Sequence, residues 1–144
     1  MRGFPPQRLT EPAGTTRGVF ETYLTMDQPL LGLDGMNTLR KEGLYSVLPV
    51  YSARDSSVTI AKTGYAVGGL NVNATADSVL GFQCVFMKLD GNRLNPQDAY
   101  VGDWIGEAPA DGQGVLVAGD GKTITGVWFE GGQKVGALGL IRAK

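Results

Sequence analysis

Apolar residues alternate along this chain with a period of two, and no stretch as long as ten residues shows the 3.6-residue period of a helix. In RGVFETYLTM, for example, Val19 and Tyr23 fall on the face opposite Phe20. Turn-forming glycine, proline, asparagine and aspartate separate such runs every 8 to 12 residues. The sequence therefore predicts an all-β fold of about ten short strands, including one at 57–64 and one that contains Pro49 and is therefore at an edge or carries a bulge. The segment 27–43 is predicted to be irregular, with room for a short helical turn at 36–41, and DGNRLNPQD is predicted to be a polar loop.

The first residues differ in composition from the rest of the chain. Residues 1–16 contain Pro5, Pro6 and Pro12, and proline disfavours a helix, so they are predicted to form an extended N-terminal arm. Residues 17–144 are predicted to form one β domain, because the total length of 144 residues is typical of a single domain. A chain of this length buries enough surface to fold without a disulfide or a metal, so no cofactor is predicted.

Composition excludes several classes of function. Thirteen basic and 14 acidic residues give a formal net charge of −1, which provides no overall field for nucleic acid or an anionic membrane. The chain has no histidine, the commonest general base and metal ligand, so neither a catalytic residue nor a metal site is predicted and the protein is expected not to be an enzyme. No apolar run approaches the ~20 residues of a membrane-spanning helix.

Three further local features have plain structural interpretations. The N-terminus lacks the apolar run of a signal peptide. The predicted compartment is therefore the cytoplasm, or the cell exterior if the sequence is a piece of a longer protein. Cys84, inside GFQCVFM, is predicted to be a buried small hydrophobe. The carboxylates of Asp103 and Glu107 are predicted to face solvent rather than to perform acid–base chemistry.

The 22 glycines are unevenly placed and partly repeated. GYAVGGLNV at 64–72 and GQKVGALGL at 132–140 both fit G-x-x-V-G-x-L-x-[VL], which is either coincidence or the trace of a pseudo-symmetric sheet assembly. Glycine within a strand marks a bend or a close approach of another group. Gly136 and Gly139 are therefore predicted to permit close packing and curvature of the final strand.

The segment ITGVWFEGGQKVGALGL resembles the final hairpin of jacalin-type β-prism lectins, whose pattern is roughly I-V-G-F-x-G-x-x-G-x-x-L-D-A-I-G. The fitting positions are Ile124, Gly126, Val127, Gly132, Val135, Ala137, Leu138 and Gly139. Residues 64–106 also resemble glycine-rich β domains of large bacterial proteins, with their Gly-Tyr-Ala-Val-Gly start and Asp-x-Tyr-x-x-x-Trp-x-Gly close. The resemblance implies a β-prism of three short antiparallel sheets around one apolar core, with a β-sandwich as the alternative.

The resemblance also implies where a ligand would bind. In the lectins an aspartate of this hairpin accepts hydrogen bonds from sugar hydroxyls, beside backbone N–H donors. Here Gly136 occupies that position. The predicted carbohydrate site is the 130–136 turn together with nearby tryptophans, and its residues are Trp128, Gly132, Gln133, Lys134, Val135, Gly136 and Trp104. Each tryptophan would stack on a sugar ring if exposed and would belong to the core if buried.

The missing aspartate decides between two functions that the sequence allows. The favoured prediction is a non-enzymatic binding or assembly module that self-associates into a homo-oligomer through its sheet edges and its N-terminal arm. The alternative is a carbohydrate-binding lectin that uses the 130–136 turn. A glycan hydrolase would need two carboxylates placed close together in a cleft.

Overall fold

The computed structural model describes residues 5–37, 43–52 and 59–144. These residues form ten strands and one 3₁₀ turn at Pro6–Arg8. The strands are β1 Ala13–Gly14, β2 Glu21–Thr25, β3 Gly32–Asn37, β4 Leu44–Val50, β5 Tyr65–Ala74, β6 Val79–Asp90, β7 Arg93–Gly106, β8 Val115–Ala118, β9 Ile124–Glu130 and β10 Ala137–Arg142. None of the described residues belongs to a helix long and apolar enough to cross a membrane.

The ten strands form three antiparallel sheets. Sheet 1 has the order β1-β10-β9-β2, sheet 2 is the pair β3-β4, and sheet 3 has the order β7-β6-β5-β8. This confirms the predicted all-β fold with three antiparallel sheets, an arrangement compatible with a β-prism or a β-sandwich.

The three sheets share one apolar core. Val127 from sheet 1, Leu33 from sheet 2 and Phe82 from sheet 3 are fully buried members of a single cluster. Burying a side chain of this size contributes about 1.5–3 kcal/mol to folding. Apolar side chains from all three sheets therefore meet in this one core.

The two repeated segments share buried positions but differ in secondary structure. Val67 and Leu70 of the first segment and Val135 and Leu138 of the second are all fully buried in the shared cluster. Residues 65–72 of the first segment lie in β5, an inner strand of sheet 3. In the second segment, 132–136 form a turn and only 137–140 lie in β10, an inner strand of sheet 1.

The two glycines of the final strand differ in their surroundings. Gly139 pairs with Trp128 across β9 and β10, and a Cβ on Gly139 would lie 2.7 Å from Trp128 Cε2, so close packing at this position is confirmed. A Cβ on Gly136 would meet nothing closer than the Asp77 carbonyl oxygen at 3.7 Å. The prediction that packing requires glycine at position 136 is therefore wrong.

The predicted arm is part of sheet 1 in its own chain. The Thr10 N–H donates to the Leu140 carbonyl at 3.0 Å, and the Thr15 N–H donates to the Gly136 carbonyl at 3.0 Å. Leu9 and Thr10 are buried, and Leu9 contacts Trp128 and Ile141 on the outer face of the sheet. The short strand β1 thus covers β10 rather than extending into solvent.

Three sequence-based strand and loop assignments need correction. DGNRLNPQD was predicted to be a polar loop, yet Asp90 pairs with Arg93 in a tight hairpin between β6 and β7. Residues 96–98 have no paired residue in β6, because the register of the two strands shifts there. The segment 27–43 was predicted to be irregular, but it contains strand β3; part of its predicted helical turn at 36–41 lies outside the described residues. Most of the strand predicted at 57–64 is absent: Ile60 makes only an isolated bridge to Gly32, and residues 57–58 lie outside the described residues.

Two single-residue predictions are confirmed. In the described chain, β4 pairs only with β3, so Pro49 lies in an edge strand as its missing N–H requires. Cys84 is buried, and burial raises the pKa of its thiol to about 12. A thiol with this pKa stays protonated at neutral pH and behaves as a small apolar side chain.

Candidate functional site

A cleft of about 490 Å³ lies at one end of the β9–β10 hairpin. Its walls are the 130–136 turn, residues from the 15–20 segment and Asp77 in the turn between β5 and β6. Small-molecule sites commonly have volumes of about 300–1,000 Å³. We call this hollow the 130–136 cleft.

Backbone hydrogen bonds fix the shape of the turn. The Gly136 N–H donates to the Glu130 carbonyl at 2.7 Å, and the Gly131 N–H donates to the Phe20 carbonyl at 3.1 Å. Gly131 has a φ of 156°, and a Cβ there would collide with the Lys134 carbonyl oxygen. Glycine is therefore required at position 131 for the chain to leave β9 in this direction.

The turn leaves a set of backbone donors unused. The Val135 N–H is not among them, because it donates to the Leu44 carbonyl at 2.6 Å while the Val135 side chain is fully buried. The N–H groups of Gly132, Gln133 and Lys134 have no hydrogen-bond acceptor among the residues described. These three groups are free to bind a ligand oxygen.

Glu130 lines the cleft as a residue, and its carboxylate is buried behind the wall. Its side chain is 3% exposed, and Oε1 accepts hydrogen bonds from the N–H groups of Arg17 at 2.6 Å and Gly18 at 3.1 Å. Oε2 is buried and has no hydrogen-bond partner in the described part of the chain. One oxygen of Glu130 thus holds the 15–20 segment in place, and the other is an acceptor without a donor.

Phe20 is an exposed aromatic residue on the rim of the cleft. It is 71% exposed and has a φ of 53°, which is uncommon for a residue other than glycine. Its ring covers Gly132, since a Cβ on Gly132 would lie 3.6 Å from Phe20 Cδ2. Backbone strain of this kind persists where the surrounding contacts enforce it, and it is enriched at functional sites.

Opposite charges flank the same cleft. Arg17 Nη2 lies 3.7 Å from Asp77 Oδ1, and the two side chains are 56% and 76% exposed. Solvent screens such a pair strongly, so it contributes little to stability. Both groups can therefore exchange their mutual contact for contact with a ligand.

The structure gathers four of the seven predicted site residues in this cleft. Gly132, Gln133, Lys134 and Gly136 line it. Val135 faces the core instead.

The two tryptophans lie elsewhere, which corrects the prediction that they would present rings to a sugar. Trp128 is 1% exposed, and its ring stacks on Tyr23 with 6.2 Å between ring centroids, beneath Leu9 of the N-terminal segment. Trp104 belongs to β7 and pairs with Gln83 in sheet 3, and it does not line the cleft.

Sequence reasoning missed Arg17, Phe20, Asp77 and Glu130. Glu130 carried a usable signal, since it is a carboxylate directly before the Gly131–Gly132 turn. Phe20 carried none, because the alternating pattern assigns it to a strand, whereas it precedes β2 and has a positive φ. Asp77 comes from a turn distant in sequence that only the fold brings to the hairpin.

No metal cluster is found in the described ranges: no group of three or more cysteine or acidic side chains is placed to hold an ion. Asp103 and Glu107 are exposed and do not line the cleft. The arrangement is therefore one of donors, acceptors and an aromatic surface.

Comparisons of the chain with protein-family models, with curated proteins and with solved structures find no match.

Proposed function

We propose that the protein is a non-enzymatic binding module that holds a carbohydrate in the 130–136 cleft. One observation carries the proposal: the exposed ring of Phe20, the exposed carboxylate of Asp77 and the three unused backbone N–H groups of residues 132–134 border one hollow. The jacalin-like resemblance of the sequence points to the same turn.

The chemistry of a sugar ring matches these groups. Its C–H face packs against an aromatic ring, for which Phe20 is the exposed candidate at this rim. Its hydroxyls both donate and accept, so they pair with the exposed carboxylate of Asp77 and with the N–H groups of the turn. In this proposal the Asp77 carboxylate performs the role that an aspartate at the position of Gly136 has in the lectins.

A glycan array followed by titration of the best ligand tests the proposal. We expect saturable binding of at least one sugar, and we expect Phe20→Ala to weaken it about ten-fold, because an aromatic contact contributes on the order of 1 kcal/mol beyond its buried area. Leu116→Ala is the matched control, since Leu116 is 60% exposed on β8 and lies outside the cleft. An array with no ligand, or Phe20→Ala binding as tightly as the parent protein, would refute it.

A second candidate function is self-association through a sheet edge. Strand β8 lies at the edge of sheet 3, and its Val115 and Leu116 are 53% and 60% exposed. Exposed apolar edge strands accept an additional strand from another chain. The N-terminal segment pairs with β10 of its own chain, so this candidate depends on β8 rather than on the arm.

Light scattering on the purified protein tests this second candidate. We expect a mass above that of one chain, and we expect Leu116→Lys to shift it toward the monomer, because a charged edge residue opposes strand addition. Met26→Lys is the control, since Met26 is also 49% exposed but lies outside every strand. A monomeric parent protein at high concentration would rule the candidate out.

A further inference from the structure

A second hollow, of about 610 Å³, lies at the opposite end of the β9–β10 hairpin. It is bounded by Arg8, the β6–β7 turn at 92–93, Lys122 and Arg142. The seven residues of β9 separate it from the 130–136 cleft by roughly 20 Å, at about 3.3 Å per residue. The two hollows are therefore distinct.

This second hollow concentrates positive charge. Its lining includes five basic residues and no acidic one, although the whole chain has a net charge of −1; the five are Arg8, Arg93, Lys122, Arg142 and Lys144. An ion pair at its edge joins Arg142 Nη2 to Asp120 Oδ2 at 3.9 Å. A concave surface lined by one sign of charge focuses its field and attracts ions of the opposite sign. We call this hollow the basic pocket.

The walls of the basic pocket are held by backbone contacts. Arg93 and Lys122 form an isolated β-bridge, and the Leu94 N–H donates to the Gly121 carbonyl at 2.8 Å. On the other side, Arg8 Nε donates to the Arg142 carbonyl at 2.9 Å. The basic side chains are therefore brought together by the fold and do not depend on a ligand to assemble them.

Several donors in the basic pocket lack acceptors. Arg93 and Lys122 are exposed, and within the described ranges neither lies within 4.0 Å of a carboxylate. Arg142 is more constrained, since its Nη1 donates to the Leu9 carbonyl at 3.2 Å. The exposed side chains of Arg93 and Lys122 are therefore the charges available to an anionic ligand.

We propose that the basic pocket binds the phosphate or sulfate group of a small molecule. Guanidinium groups hold such oxyanions through paired, charge-assisted hydrogen bonds, and lysine adds a point charge. The volume of the pocket fits one small ligand carrying such a group. This binding is independent of whether the 130–136 cleft binds a sugar.

Titration of the full chain with inorganic pyrophosphate and, separately, with inorganic sulfate, followed by amide NMR, tests the proposal. We expect saturable shifts at Asn92, Arg93, Lys122 and Thr123, with affinity falling as salt is added. The double variant Arg93→Gln/Lys122→Gln is expected to weaken binding about ten-fold or more, because it removes charge-assisted hydrogen bonds. Tighter binding of pyrophosphate would assign the pocket to phosphate esters, and tighter binding of sulfate would assign it to sulfate esters.

The control variant removes the same charge at the far end of the hairpin. Arg17→Gln/Lys134→Gln should bind pyrophosphate within about two-fold of the parent, because the Debye length at 0.1 M salt is only about 10 Å. Equal loss in both double variants would mean non-specific charge attraction and would overturn the proposal, as would the absence of saturable shifts. If Arg93→Gln/Lys122→Gln does not fold, the single variant Lys122→Gln provides the same comparison, since that side chain is exposed.

Discussion

Replacing Glu130 with alanine is expected to lower the free energy of unfolding by about 2–4 kcal/mol, the largest effect of any single substitution considered for this protein. Oε1 of Glu130 accepts hydrogen bonds from two backbone N–H groups, those of Arg17 and Gly18, at a position that is 3% exposed. Alanine leaves both donors without their acceptor and removes the contact that fixes the 15–20 segment.

Urea unfolding measures the loss, and hydrogen exchange locates it. We expect faster amide exchange at Arg17 and Gly18 than in the parent protein, because their protection depends on the carboxylate. Glu107→Ala removes the same charge from an exposed position and should change stability by less than about 0.5 kcal/mol. If Glu130→Ala and Glu107→Ala are equally stable, Glu130 does not hold this segment.

The second large effect is expected at Gly139. A methyl group there would lie 2.7 Å from Cε2 of Trp128, a ring that is itself buried between Tyr23 and Leu9. The added methyl group would force the ring to shift from this packing, so Gly139→Ala should cost about 1–3 kcal/mol through overpacking. Thermal unfolding followed by tryptophan fluorescence reports both the lost stability and the displaced ring.

Gly136→Ala is the matched control three residues earlier in the chain. A Cβ at Gly136 would make only ordinary contacts at 3.7–3.9 Å, so we expect stability to be unchanged or slightly raised, by up to about 1 kcal/mol. A similar loss of stability in both variants would mean that the specific contact with Trp128 is not the cause.

The candidate site was only partly predictable. The resemblance pointed to the 130–136 turn, and residues of this turn line a cleft, because the hairpin is a local unit whose turn follows from neighbouring glycines. It could not supply Arg17, Phe20 and Asp77, because these residues come from other parts of the chain. It also placed Trp128 at the site, although the N-terminal segment covers that ring.

The sequence by itself determined the class of structure. Period-two alternation and frequent turn residues specify strands, and glycine at position 139 is explained by its cross-strand neighbour. These properties depend on residues near one another in the sequence, because a strand with an alternating pattern buries one face regardless of which strand it pairs with.

The tertiary structure alone decided which side chains meet. It paired the N-terminal segment with β10 and placed the Glu130 carboxylate within hydrogen-bond distance of the Arg17 N–H. It also brought basic residues from four separate parts of the chain together around Lys122. These contacts depend on sheet order and register, which are set by long-range packing of the shared core. No periodic pattern in the sequence predicts them. The fold class could therefore be predicted from the order of the residues in the sequence. Both candidate binding sites could be identified only from the positions of the residues in space.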